Sequence, residues 1–101
     1  MQRMVQYKLK ADRVAENERY VLEVFNELKW ARPSGLRYAT FRLADGVSFV
    51  HMVSYENADA SSALTALAAF KAFTAGIRDR CEEMPHTMEL KEIASYGFHD
   101  A

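Results

Sequence analysis

The stretch LRYATFRLADGVSFVHMVSYE, residues 36–56, decides how the chain is read. Two runs rich in β-branched and aromatic residues flank Ala44-Asp45-Gly46. A glycine closing so short a polar turn signals a hairpin, because tight turns need a positive φ that glycine adopts without strain. The spacing predicts strands over 36–43 and 47–55. Neither run alternates cleanly. Leu36 and Tyr38 share one parity with Ala39, Phe41 and Leu43 on the other, and Val47, Phe49 and Val53 oppose Val50 and Met52. Strands apolar on both sides are covered on both sides. The turn sets the register. If 44–46 form a three-residue loop with Gly46 in the bulge position, Leu43 pairs with Val47, Phe41 with Phe49 and Ala39 with His51. If Asp45-Gly46 alone reverses the chain, Thr40 faces His51 and Arg42 faces Phe49. The bulged loop is the preferred expectation, because it sets Arg42 beside Ser48 instead of against an aromatic ring. It also puts His51 among apolar residues facing the helices.

Working outward, residues 4–10 alternate, with Val5, Tyr7 and Leu9 opposed to Gln6, Lys8 and Lys10, which predicts a strand. Val14, Val21, Val24, Phe25 and Leu28 then recur at helical spacing, and Arg32-Pro33-Ser34-Gly35 ends that helix. Beyond the hairpin, Asp59, Ser61 and Ser62 are candidate N-caps. A second apolar stripe of Leu64, Leu67, Phe70, Thr74, Ile77 and Cys81 predicts a helix over 63–81, with Phe73 at the stripe's edge and Arg78 and Arg80 away from it. Gly76 inside it marks a bend or a close approach. A break near Met84-Pro85 and a strand over 86–94 complete the chain. The order is βαββαβ. It predicts an α+β, ferredoxin-like fold, a four-stranded antiparallel sheet with two helices on one face, as a single domain over 1–101.

In that architecture the helices hide one sheet face only. The apolar residues on the other parity of the hairpin strands predict a homodimer through the open face. Thirteen basic and fourteen acidic side chains leave a net charge of -1, which argues against nucleic acid or an anionic membrane as partner. No apolar run approaches the about 20 residues of a membrane span. The start, MQRMVQYKLK, lacks the apolar block of a signal peptide, so a cytoplasmic location is expected. Cys81 has no second cysteine to pair with, and a lone cysteine at such a position reads as a small core residue. His86 and His99 have no partner at ligand spacing, so no metal is expected, and neither a phosphate loop nor a nucleophile elbow occurs.

The run GLRYATFRLADGVSFVHMVSYE, followed by ALTALAAFKAF, together with the element order and length, resembles the dimeric α/β-barrel superfamily. Within it the chain looks like the small antibiotic-biosynthesis-monooxygenase-type proteins. The resemblance implies a homodimer whose sheets form a barrel, with a pocket between sheet and helices, and an activity that needs no cofactor. Related oxygenases often carry Asn, Trp and Tyr around the pocket, and several relatives have a His in the second helix. Here residues 63–81 hold no His and Trp30 closes the first helix, so no catalytic set carries across. Gln6 and Tyr7 stand where the haem-degrading relatives have an Asn, which disfavours haem.

His51 is the candidate catalytic residue, able to move a proton or hold a substrate oxygen. Tyr7, Trp30, Phe49 and Phe70 are the candidate lining of a pocket for a flat, apolar ligand. Two classes of function follow. One is a cofactor-independent monooxygenase or isomerase acting on a small aromatic or lactone-like molecule, with His51 as base or anchor. The other is a non-catalytic dimer that binds a small molecule or serves an accessory role.

Overall fold

The computed structural model describes residues 1–98, so the expectation for His99 lies outside the described residues. The chain runs through β1 (Gln2–Leu9), a 3-10 turn (Ala11–Arg13), α1 (Val14–Ala31), β2 (Leu36–Arg42), β3 (Ser48–Tyr55), α2 (Ala58–Thr65), α3 (Ala68–Ala75), α4 (Ile77–Arg80) and β4 (Cys81–Leu90). The sheet order is β2-β3-β1-β4, antiparallel throughout, which is the ferredoxin-like arrangement. Alternation along the two central strands sends Tyr7 and Leu9 of β1 and Phe49 of β3 toward the helices. There they form one buried cluster with Val21 and Val24 of α1, Leu64 of α2 and Phe73 of α3. α1 stops where Arg32 turns left-handed at φ 46°, its N–H bonding to the Leu28 carbonyl, with Pro33 next. The sheet is open along β2 and β4, so no barrel closes within one chain.

The hairpin register differs from the preferred one. Thr40 pairs with His51, Arg42 with Phe49 and Phe41 with Val50. Asp45 decides it. Its carboxylate accepts from the Val47 and Ser48 N–H groups and from the Ser48 hydroxyl, so the loop spans four residues, 44–47, and Val47 leaves the strand. The expected conflict at Arg42 does not arise, because its guanidinium reaches Glu18 of α1 at 2.8 Å. A one-residue slip exchanges the faces of a whole strand. Tyr38 and Thr40 therefore join His51 on the helix side, and Ala39 and Phe41 move to the open face.

The second helical stretch is also corrected. Instead of one helix over 63–81 there are three segments, broken where Leu67 is extended and again at Gly76. The break at Leu67 resets the helical phase, so Phe73 and not Phe70 becomes the buried aromatic of this stretch. β4 begins at Cys81, ahead of the proline taken as the break. Pro85 is tolerated because β4 is an edge strand whose register shifts between Gln6 and Lys8 of its neighbour. Cys81 is buried as expected, although on a strand.

The outer sheet face carries Met4, Val50, Met88, Phe41 and Met52, the last two 52% and 39% exposed. Residues beyond β4 border it, leaving a groove of about 400 Å3 lined by Ala39, Phe41, Met52, Leu90 and Phe98. Among the described residues no helix is long and apolar enough to cross a membrane. Leu9 has no exposed surface, so Leu9→Ala is expected to lower unfolding free energy by about 2–5 kcal/mol in urea titration. Trp30→Ala, at a site 84% exposed, should stay within about 0.5 kcal/mol of the native value.

Candidate functional site

His51 sits midway along β3, 4% exposed, and both of its ring nitrogens are engaged. Nε2 lies 2.7 Å from the Tyr7 hydroxyl on β1. Nδ1 lies 2.8 Å from the Tyr38 hydroxyl and 3.0 Å from Thr40 Oγ1, both on β2. Behind Tyr7 the chain of bonds continues: Asn17 Nδ2 of α1 donates to the Tyr7 oxygen at 2.9 Å, and Arg80 Nε at the end of α4 donates to Asn17 Oδ1 at 3.1 Å. Arg80 Nη2 donates to the Phe73 carbonyl at 2.7 Å. One connected set of polar groups thus crosses the molecule from β2 to α4. Aromatic rings sheathe it: His51 lies 5.3 Å from both Tyr7 and Phe73, and Phe49 stacks on Tyr7 at 5.8 Å. Phe25 stacks on Tyr38 at 5.1 Å.

Of the residues expected at a pocket, Tyr7 and Phe49 lie in this cluster. Phe70 stands behind it, 6.3 Å from Phe73. Trp30 is exposed at the end of α1 and does not join. Two grooves, of about 400 and about 330 Å3, are lined mainly by the outer sheet face, and His51 lines neither. Asn17 and Arg80 escaped the sequence reading, whereas Thr40 faced His51 only in the register not preferred and Phe73 stood only at its stripe's edge. A signal for Asn17 was present: residues 14, 17, 21, 24 and 28 form one stripe, and 17 is its polar member. For Arg80 the hint was Gly76 one turn earlier, where an added Cβ would meet Arg80 Nη1 at 2.9 Å. Among the described residues no three His, Cys, Asp or Glu side chains gather as a metal site would require.

No family model and no curated protein matches the chain. Solved structures do. A Bacteroides thetaiotaomicron protein provisionally named an antibiotic biosynthesis monooxygenase aligns over 100% of this chain and 95% of its own, with a TM-score of 0.82 at 16% identity. A similarly named Nitrosomonas europaea protein covers 95% of this chain and 92% of its own, with a TM-score of 0.77 at 16% identity. The fold is that of the antibiotic-biosynthesis-monooxygenase-like proteins. SnoaB from Streptomyces nogalater, described as a cofactor-independent oxygenase, aligns at a TM-score of 0.64 and 17% identity over 90% of this chain and 92% of its own. Identities this low carry the architecture and not the chemistry.

Within this monooxygenase-like fold the electrostatics are those of a dry site. Burial pushes His51 down to about 4, so the imidazole is neutral at pH 7. Burial raises Tyr7 well above the usual phenol range, opposed by the Asn17 hydrogen bond and by Arg80. Tyr38 is pushed up to about 12 by burial, with the Thr40 hydrogen bond opposing. An ordinary phenol ionises near 10, so handing its proton to an imidazole at about 4 climbs roughly 8 kcal/mol. Unaided proton abstraction from such a phenol by His51 is therefore steeply uphill.

The same shift makes stability depend on pH. Between about 6.5 and about 4 the unfolded chain binds a proton at His51 that the folded chain refuses. The stabilisation is therefore complete above the upper value and lost as pH falls through the window, by about 3 kcal/mol. His51→Gln should flatten this part of the profile when urea midpoints are followed against pH.

Proposed function

We propose that the protein is a cytoplasmic, homodimeric, cofactor-independent oxygenase acting on a small aromatic or lactone-like molecule. The observation that supports this reading is the linked set of His51, Tyr7, Tyr38 and Thr40 in an apolar sheath. Such groups hold the oxygen of an electron-rich substrate as negative charge develops on it, and a water-poor surrounding strengthens each hydrogen bond. Dioxygen is the oxidant. The likeness to SnoaB and the monooxygenase-named structures supports this class. One domain spans 1–101, and a second copy covers Phe41, Val50 and Met52 on the open face.

A second reading, a non-catalytic binding dimer, is favoured by how closely Tyr7, Tyr38 and Phe73 surround the imidazole. Oxygen uptake separates the two. With a panel of quinols and lactones, the native protein is expected to consume oxygen and His51→Ala to lose at least tenfold in rate. Binding without uptake in both proteins selects the second reading. In sedimentation at micromolar concentration the native chain should run as a dimer and Phe41→Asp/Met52→Asp as a monomer; a native monomer would sink the dimer.

A further inference from the structure

The hydrogen-bond chain through the core has a direction, and Arg80 sets it. A guanidinium only donates. Its bond to Asn17 therefore obliges Oδ1 to face Arg80 and Nδ2 to face Tyr7, where it donates to the phenol oxygen. Were Nε2 of His51 protonated, it too would donate to that oxygen. The Tyr7 hydroxyl hydrogen, on a residue 3% exposed, would then have no acceptor among the described residues. Native structures avoid orphaned buried donors. Tyr7 thus donates to Nε2, and the one hydrogen of the neutral imidazole resides on Nδ1.

The consequence appears at the other end. Nδ1–H supplies one hydrogen to the oxygens of Tyr38 and Thr40, which are only partly buried. Neither hydroxyl can give its own hydrogen back to that nitrogen. Three hydrogens then meet two oxygens and a nitrogen that accepts nothing more. The Tyr38 and Thr40 hydroxyl hydrogens therefore point away from the imidazole, at the less buried end of the chain. With the opposite tautomer the surplus hydrogen would be sealed beside Asn17.

We propose that Arg80, acting through Asn17 and Tyr7, fixes His51 as the Nδ1–H tautomer. The outer end of the site is thereby a hydrogen-bond donor that takes ligands presenting an acceptor oxygen, a ring carbonyl or phenolate, to Tyr38 and Thr40. The polarity stands on geometry alone; the ligand class rests on the functional reading above. Arg80 and Asn17 are positioning residues, and Tyr38 is the group that meets the ligand.

Nitrogen-15 NMR of the labelled full chain at pH 7 tests the polarity with no ligand present. The native protein is expected to show His51 neutral and protonated at Nδ1. Asn17→Asp offers a carboxylate that accepts from both Arg80 and the Tyr7 hydroxyl, so Tyr7 turns around and the imidazole hydrogen moves to Nε2. A native imidazole protonated at Nε2 or at both nitrogens would overturn the proposal even if the variant did not fold. So would a folded variant whose tautomer is unchanged. For the ligand class, 1,4-naphthoquinone should bind about tenfold tighter than naphthalene, and Tyr38→Phe/Thr40→Val should erase the difference. Equal affinities for the native protein would refute the acceptor-oxygen assignment. Quinone preference with no oxygen uptake from any quinol would uphold it while removing the oxygenase reading.

Discussion

The Arg80 guanidinium is 1% exposed, and among the described residues no carboxylate pairs with it. An unpaired buried charge is one of the most costly things a core can contain. Here the cost is offset by charge-assisted bonds to Asn17 and the Phe73 carbonyl and by two ring faces, Tyr20 at 4.5 Å and Phe73 at 5.5 Å. Each partner comes from a helix that the fold must hold in place. Arg80 thus ties the end of α4, where the chain enters the sheet as β4, to α1 and α3. Gly76 is small because the guanidinium occupies the space where a side chain would stand.

From that cation the order passes inward. Asn17 is held in one orientation, Tyr7 in one donor role, and His51 between two strands whose hydroxyls converge on it. No buried side-chain nitrogen or oxygen among the described residues lacks a partner. A network satisfied to that degree restricts its members' geometry. Burial within the aromatic sheath keeps the imidazole neutral. The outer sheet face is a contrasting surface, with mobile-chained methionines and Phe41 where the inner face has rigid rings and polar bonds.

The hairpin shows how little separates one site from another. Had the loop been the three-residue form, Ala39 would stand opposite His51, and the ring would have no hydroxyl at Nδ1. Asp45, three hydrogen bonds on a loop, adds one residue to the turn and so moves Tyr38 and Thr40 inward. Arg42, which argued for the other register, finds Glu18 across the gap between strand and helix, a partner distant in sequence. Local pairing preferences were outvoted by a side-chain cap on the turn and by a contact no local window contains.

Periodicity alone determined the element order, the ferredoxin-like class and the surplus of apolar residues on the outer face, because each follows from which residues repeat every two or every three to four positions. Tyr7 and Phe49 were legible for the same reason. What only the tertiary structure decided was the register of β2 and the phase of the second helical stretch, since one depends on a loop bonded to its own side chain and the other on a break at Leu67. The same holds for Asn17 and Arg80. A polar residue on an apolar stripe and a charged residue off one look like surface in sequence, and they become interior only when two helices bring a donor and an acceptor together away from water.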